Sequence, residues 1–215
     1  MEDFLYEVVE ITQTIWDGVL FGSTYALIGI GFTLIFGAMG KLNMAYAGAA
    51  IAGAYVGLAV SMFFDAPIIL VFAVSALVST LMGYIVYQTC FRFIPTNNHL
   101  AALMASVGGL FLIDEVIVLA TRGSPMNFPA LFEDAYFEIG PFGIRGDLLF
   151  VFFIGIVSTV LLLYVLYKTR LGMATRAVAQ QDVAAQLCGI NIHRTNSITF
   201  SIAGFLGGIA GAMTA

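Results

Sequence analysis

A chain of 215 residues that is 60% hydrophobic and 10% charged lies far from soluble domains, in which about a quarter of residues are charged. Its net charge of −5 is uneven: Glu2, Asp3, Glu7, Glu10 and Asp17 precede the first apolar block, and most basic residues gather toward the other end. This excludes an ordinary soluble fold and a nucleic-acid binder, which needs a basic face, and points to an integral membrane protein.

The acidic start lacks the basic n-region of a signal peptide. Phe4, Leu5, Val8 and Val9 recur at helical spacing, which fits a short interfacial helix with Trp16 at headgroup level, or a frayed terminus. Uncharged runs near the ~20 residues that span a bilayer follow at 18–40, 42–64, 66–91 and 148–167. A further block, 100–121, is interrupted by Asp114 and Glu115, and the last covers 197–215. The blocks are continuous rather than alternating, so helices and not a β-barrel are expected. The predicted fold is all-α and polytopic, a single transmembrane domain over 1–215 with about six spans. Because the sequence stops inside a Gly-rich apolar block, the domain is expected to be incomplete at its C-terminal end.

The segment between the last two blocks, 169–196, follows Lys168 and carries Arg170, Arg176 and Arg194 against one acid, Asp182. Basic loops stay cytoplasmic, so this segment is predicted to lie inside the cell. Counting back, 121–146 is outside, with Glu133, Asp134 and Glu138 beside Arg122 and Arg145. Arg92 and His99 are inside, Asp65 outside, Lys41 inside and the N-terminus outside. Cys90 and Cys188 then both face the reducing side, fit no metal spacing, and read as small, buried or inert residues.

Small residues set how membrane helices meet. Ala45, Ala49, Gly53 and Gly57 recur every four residues, and Gly204/Gly208, Gly207/Gly211 and Gly18/Gly22 form G-x-x-x-G pairs. These stripes predict close helix packing, within the subunit or against a partner.

Chemistry-bearing motifs are few. "GAMGKLN" (37–43) has Leu42 where a phosphate loop needs a hydroxyl, so no ATP site is expected in this chain. With two distant histidines and no metal-ligand cluster, no catalytic residue, metal site or bound cofactor is predicted. Asp114 and Glu115 each carry a cost of roughly 2.5–3.5 kcal/mol at a helix centre. They point about 100° apart and lie near one end of their block, so they belong either to a proton pathway or to the interface. "KLNMAYAGAAIAGAY" (41–55) sets Asn43 and Tyr46 beside small residues such as Gly48. It is either a broken helix lining a translocation pathway or a short loop with Asn43 capping the next helix.

"RAVAQQDVAAQLCGINIHR" (176–194) is the polar exception. Helix formers over 173–187 predict one short helix, with Ala177, Ala184, Leu187 and Cys188 on one face. Gly189 is its expected left-handed stop, and Thr195, Asn196 and Ser197 are expected to start the next span. Three roles fit: an interfacial helix on anionic lipid, a plain connector, or a docking surface for a cytoplasmic subunit.

"VAAQLCG" (183–189) resembles the EAA-x-x-x-G loop of ATP-binding-cassette importer permeases, with Ala184, Ala185 and Gly189 matching and Val183 in place of the acid. The wider stretches 170–213 and 18–56 resemble permease subunits of branched-chain amino acid importers. The family typically reads Asn-Phe-Ala-His-Gly followed by an acid at 43–48; here Asn43 and Gly48 bracket Met44, Ala45, Tyr46 and Ala47, with neither His nor acid. The resemblance implies a multi-pass protein of a bacterial or archaeal plasma membrane that imports branched-chain or related amino acids; urea or amide import is an alternative. It implies an ATPase subunit docked at 176–191, through Arg176, Asp182, Val183, Ala184, Ala185, Gly189 and Asn191, with ATP used by that partner. It also implies a second permease chain and a periplasmic or extracellular substrate-binding protein. A secondary transporter working through Asp114 and Glu115, and a non-transporting scaffold packed through its Gly stripes, are the readings from other classes.

Overall fold

A computed structural model describes residues 2–64, 67–95, 98–123, 136–139 and 142–214. Asp65, Glu133 and Asp134, which bear on the predicted outer face, lie outside the described residues. Among those described, six helices are long and apolar enough to cross a membrane, so the chain is a multi-pass, helical membrane protein.

Helix α1 runs unbroken from Glu2 to Met39. This replaces the expected separate interfacial helix or frayed end. The acids before Gly18 break neither geometry nor helix propensity, so the backbone continues through them. At 1.5 Å per residue, α1 is about 57 Å long and exceeds the ~30 Å hydrocarbon core. It ends at Gly40, whose positive φ of 62° suits glycine alone without strain, and whose N–H reaches the Phe36 carbonyl at 2.7 Å. Helix α2 (Ala45–Phe64) follows, then α3 (Ile68–Val86) behind Pro67, which presets φ at −61°. Helix α3 passes into a π turn, Tyr87–Phe91, closed by the Arg92 N–H on the Tyr87 carbonyl at 2.9 Å. Helix α4 (His99–Thr121) is capped by the Asn98 side chain on Ala101 N–H and ends on Arg122 in left-handed geometry. Within the stretch taken as a loop, strands β1 (Tyr136–Ile139) and β2 (Phe142–Arg145) form a small antiparallel hairpin. Helices α5 (Gly146–Lys168), α6 (Arg170–Gln180), α7 (Asp182–Leu187) and α8 (Ile192–Thr214) complete the order.

Helix α8 is the hub. It packs on α3, α1 and α2, and 67% of its spanning window is buried, against 17% for the peripheral α4. The close approach comes from glycine. A Cβ on Gly208 would lie 2.6 Å from the Ser75 carbonyl oxygen, and one on Gly204 would strike the Ser79 carbonyl. From α2, a Cβ on Gly53 would lie 2.6 Å from the same Ser75 oxygen, and one on Gly57 would strike the Ser75 hydroxyl. Ser75 and Ser79 thus form a ridge gripped by glycines of α2 and α8, and Ser79 Oγ donates to the Ala49 carbonyl at 2.9 Å. Ala45 and Ala49 are fully buried on the same helix as Gly53 and Gly57. The Gly18/Gly22 pair behaves differently: among the described residues, neither has a neighbour within 4 Å of a Cβ position, so this pair packs against none of the described helices.

Beneath the hub, Tyr87 and Phe91 of the π turn hold Phe200 at centroid distances of 5.2 and 5.0 Å. Four residues apart, the two rings share one helix face, and it is turned toward α8. The 40–44 link, the end of α3, α6, α7 and the start of α8 converge at one end of the molecule around a shared cavity. Strand β2 packs on α1 and α5 elsewhere.

Candidate functional site

Two polar stretches lie at that convergent end. The first is α6–α7. Thr169 starts α6 by accepting the Gly172 N–H at 3.2 Å. The chain folds so sharply there that any Cβ on Gly172 would collide with the Leu166 backbone. Arg176 lies over the Tyr167 ring at 5.3 Å. The expected single helix over 173–187 is broken at Gln181, whose φ and ψ of −159° and 109° are extended. The Asp182 carboxylate then takes the Val183 N–H at 2.8 Å, satisfying a free donor of the first turn of α7.

Helix α7 is short and firmly closed. Gly189 has φ of 82°, its N–H reaches Gln186 O at 2.9 Å, and Ile190 N–H reaches Ala185 O at 3.0 Å. Together these bonds make a complete Schellman stop. Asn191 caps α8 through Arg194 N–H at 3.0 Å, so α8 starts earlier than predicted, and Thr195, Asn196 and Ser197 are buried inside it. A cap needs a free side chain just before the first turn, and Asn191 supplies it.

The break at Gln181 also changes which face is buried. Gly172, Val178 and Ala185 turn inward, whereas Ala184 and Cys188 are exposed and Leu187 is 86% exposed. Of the two cysteines read as small, buried or inert, Cys188 is exposed and Cys90 half-buried, so burial does not describe Cys188. Val183 stands 59% exposed beside Leu187. Apolar side chains standing out from a polar connector, with Arg176 exposed nearby, form a surface suited to a protein partner.

The second stretch is the 40–44 link. Lys41 is only 2% exposed, and its ammonium donates to the carbonyls of Pro95 at 3.1 Å and Ile94 at 3.4 Å. Burial pushes its pKa below the usual lysine value, and the Asp182 carboxylate pushes it back up. Asn43 is buried, but its side-chain oxygen has no partner, so it does not cap α2; Met44 N–H goes to Ser106 Oγ at 3.2 Å. Tyr46 is wedged between Gly31 of α1 and Gly207 of α8 with its hydroxyl unpartnered. Gly48 is buried against Leu110 and Ile113 of α4. The three candidate pathway residues are thus packed where α1, α2, α4 and α8 meet.

Between the two stretches lies a cavity of about 320 Å³, lined by Lys41, Arg92, Asp182 and Asn196 among others. Tyr87 and His193 share a 3.1 Å hydrogen bond on its wall, and Gln88 donates to Ser197 at 3.2 Å. Lys41, His193 and Asn196 were not legible as site residues. The only signal was a lone lysine between two apolar blocks. Asp114 and Glu115 are exposed on α4, far in sequence from this cluster and absent from its lining.

Six apolar helices, one of them a glycine-packed hub, with a capped connector between the last two spans, make the chain a multi-pass helical membrane protein. It belongs to the family described as the permease component of branched-chain amino acid transport systems, whose model matches residues 14–215. The chain is 27% identical to the high-affinity branched-chain amino acid transport system permease protein LivH of Escherichia coli K12, covering 99% of this chain and 71% of the relative. Identity to BraD, a permease protein of the corresponding system in Pseudomonas aeruginosa, is also 27%, over 96% of this chain and 71% of the relative. A shorter match, 32% identical over 55% of this chain and 37% of the relative, is to the ribose import permease protein RbsC of Escherichia coli K12. No solved structure matches the chain.

Proposed function

We propose that the chain is the transmembrane subunit of an ATP-driven importer of branched-chain or related amino acids in a bacterial or archaeal plasma membrane. A separate ATPase docks on α6–α7, a second permease chain completes the pathway, and a binding protein delivers substrate on the opposite face. The α6–α7 face is cytoplasmic and the N-terminus lies outside. The observation that carries this reading is the exposure of Val183 and Leu187 on a helix closed at both ends.

The geometry supplies a lever. Helix α7 is locked by its Schellman stop, and the chain passes directly through the Asn191 cap into α8. Helix α8 touches α1, α2 and α3, so a push on α7 is felt across the core. Thr175 on α6 also meets Thr199 of α8 at 3.4 Å. An ATPase biases the pathway only if it holds two arrangements of this lever with unequal affinity. Tyr46, packed against the same hub at Gly207, and its neighbours Asn43 and Gly48 are the residues that such a movement would open.

The test is uptake of labelled leucine into vesicles holding the chain with its partner permease, ATPase and binding protein. Uptake that needs ATP on the α6–α7 side supports the reading. Uptake without ATP that vanishes in Asp114→Asn would replace it with a secondary transporter, and uptake of urea in place of leucine would move the substrate.

A further inference from the structure

A groove runs along the outside of the bundle between α1 and α5, and α6 closes one end of it. Its volume is about 560 Å³, within the range of ligand sites. The α1 wall is low there: a Cβ on Gly29 or Gly37 would meet nothing within 4 Å among the described residues. Leu162, Leu163 and Leu166 form the α5 wall. From Ala26 to Ala38 the groove follows about 18 Å of helix, close to one leaflet of the ~30 Å hydrocarbon core. Past Ala26, Ile30 and Thr159 it continues into a second hollow of about 470 Å³. The hydroxyls along both are spent locally. Those of Thr33, Thr159 and Thr175 donate to carbonyls of their own helices at 2.7, 2.8 and 3.0 Å, and that of Ser23 does so at 2.7 Å. No acid lines either hollow, and the single charge is Arg176 at the α6 end. Its exposed guanidinium lies over the Tyr167 ring, and its N–H fork has no acceptor among the described residues. Lys168 and Arg170, both exposed, add charge of the same sign at the α5–α6 corner.

This layout selects its occupant. Apolar walls with one cationic end fit a molecule with an alkyl tail and a negative head. A free anion would pair with Arg176 and leave the groove unfilled. A lipid without net charge would fill the groove but bring its own cation to a corner that is already positive. A membrane helix of the same length, about 10 Å across, needs more than twice the volume. We propose that the α1–α5 groove binds one anionic phospholipid of the surrounding bilayer, an acyl chain along Gly29 and Gly37 and the phosphate on Arg176. The site needs only a bilayer beside α1 and α5, so it does not rest on the importer reading. Arg176 then serves the lipid side of α6 and leaves Val183 and Leu187 as the surface for a protein partner.

The experiment titrates the purified full chain in detergent with phosphatidylglycerol or with phosphatidylcholine of the same acyl chains, and counts bound lipids by native mass spectrometry. One phosphatidylglycerol is expected to bind saturably, about tenfold more tightly than phosphatidylcholine, the effect of one charge-assisted pair. Arg176→Gln removes that preference. Gly29→Leu fills the groove and weakens both lipids. Both positions are exposed, so the unfolding temperatures of the two variants match the wild type. Inorganic phosphate in large excess does not displace the lipid. Equal affinity for the two lipids, a preference that survives Arg176→Gln, or displacement by phosphate overturns the proposal. The comparison of lipids on the wild-type chain depends on no variant folding. A protein occupant is read by a cysteine at Gly29→Cys in native membranes. No crosslink to another chain beyond the wild-type level is expected, and a crosslink to a partner permease overturns the lipid site.

Discussion

Tyr46 and Gly189 show how single residues carry opposite kinds of constraint. The Tyr46 hydroxyl is buried without a partner between two glycines, a cost of about 1–3 kcal/mol that an apolar ring would not bear. Tyr46→Phe is therefore expected to keep or raise the thermal unfolding temperature of the purified chain. Leucine uptake by the assembled transporter should fall if the hydroxyl faces the route in the open state. Gly189 has the reverse character. Its φ of 82° costs any other L-residue roughly 1–2 kcal/mol, so Gly189→Ala should loosen α7 locally. Amide hydrogen exchange over 184–190 should rise while the membrane core keeps its protection. The glycine stop was legible because one residue type dominates that geometry. The unpartnered oxygens of Asn43 and Asn196 were not, because burial of a polar side chain depends on neighbours far away in sequence.

At the scale of elements, the apolar blocks identified all six spans, since length and hydropathy alone decide what fits a bilayer. Packing partners were not legible. The G-x-x-x-G pattern is the same at Gly18/Gly22 and Gly204/Gly208, yet the first meets none of the described residues and the second grips the backbone of α3. The difference lies in what the fold brings opposite each pair. Gly18→Ala should thus be neutral or stabilising by up to about 1 kcal/mol, the ordinary helix preference. Gly208→Val should cost about 1–3 kcal/mol through overpacking against Ser75 and Ala76. Thermal unfolding of the two variants in one detergent reads the contrast directly. The break at Gln181 was hidden for a related reason. Helix formers on both sides favour one continuous helix, and tertiary packing of Gly172, Val178 and Ala185 overrides them. That override turned Leu187 and Cys188 outward.

For the molecule as a whole, the fold joins a surface that invites a partner to a hub that touches every inner span. Leu187 is 86% exposed on α7, while Ala185, matched to the importer loop in sequence, is 4% exposed. On the proposed docking, the contact falls to Leu187 with Val183, and Ala185 seats the helix. The difference separates two variants that sequence alone would treat alike: Ala185→Glu should lower stability, whereas Leu187→Glu should leave stability unchanged and remove the contact. The most direct measurement is co-purification of the transporter's own ATPase with the full chain and with Leu187→Glu, at equal expression and equal unfolding temperature. The docking role of α7 predicts ATPase retained by the wild-type chain and largely lost from Leu187→Glu. Equal retention by both would contradict it.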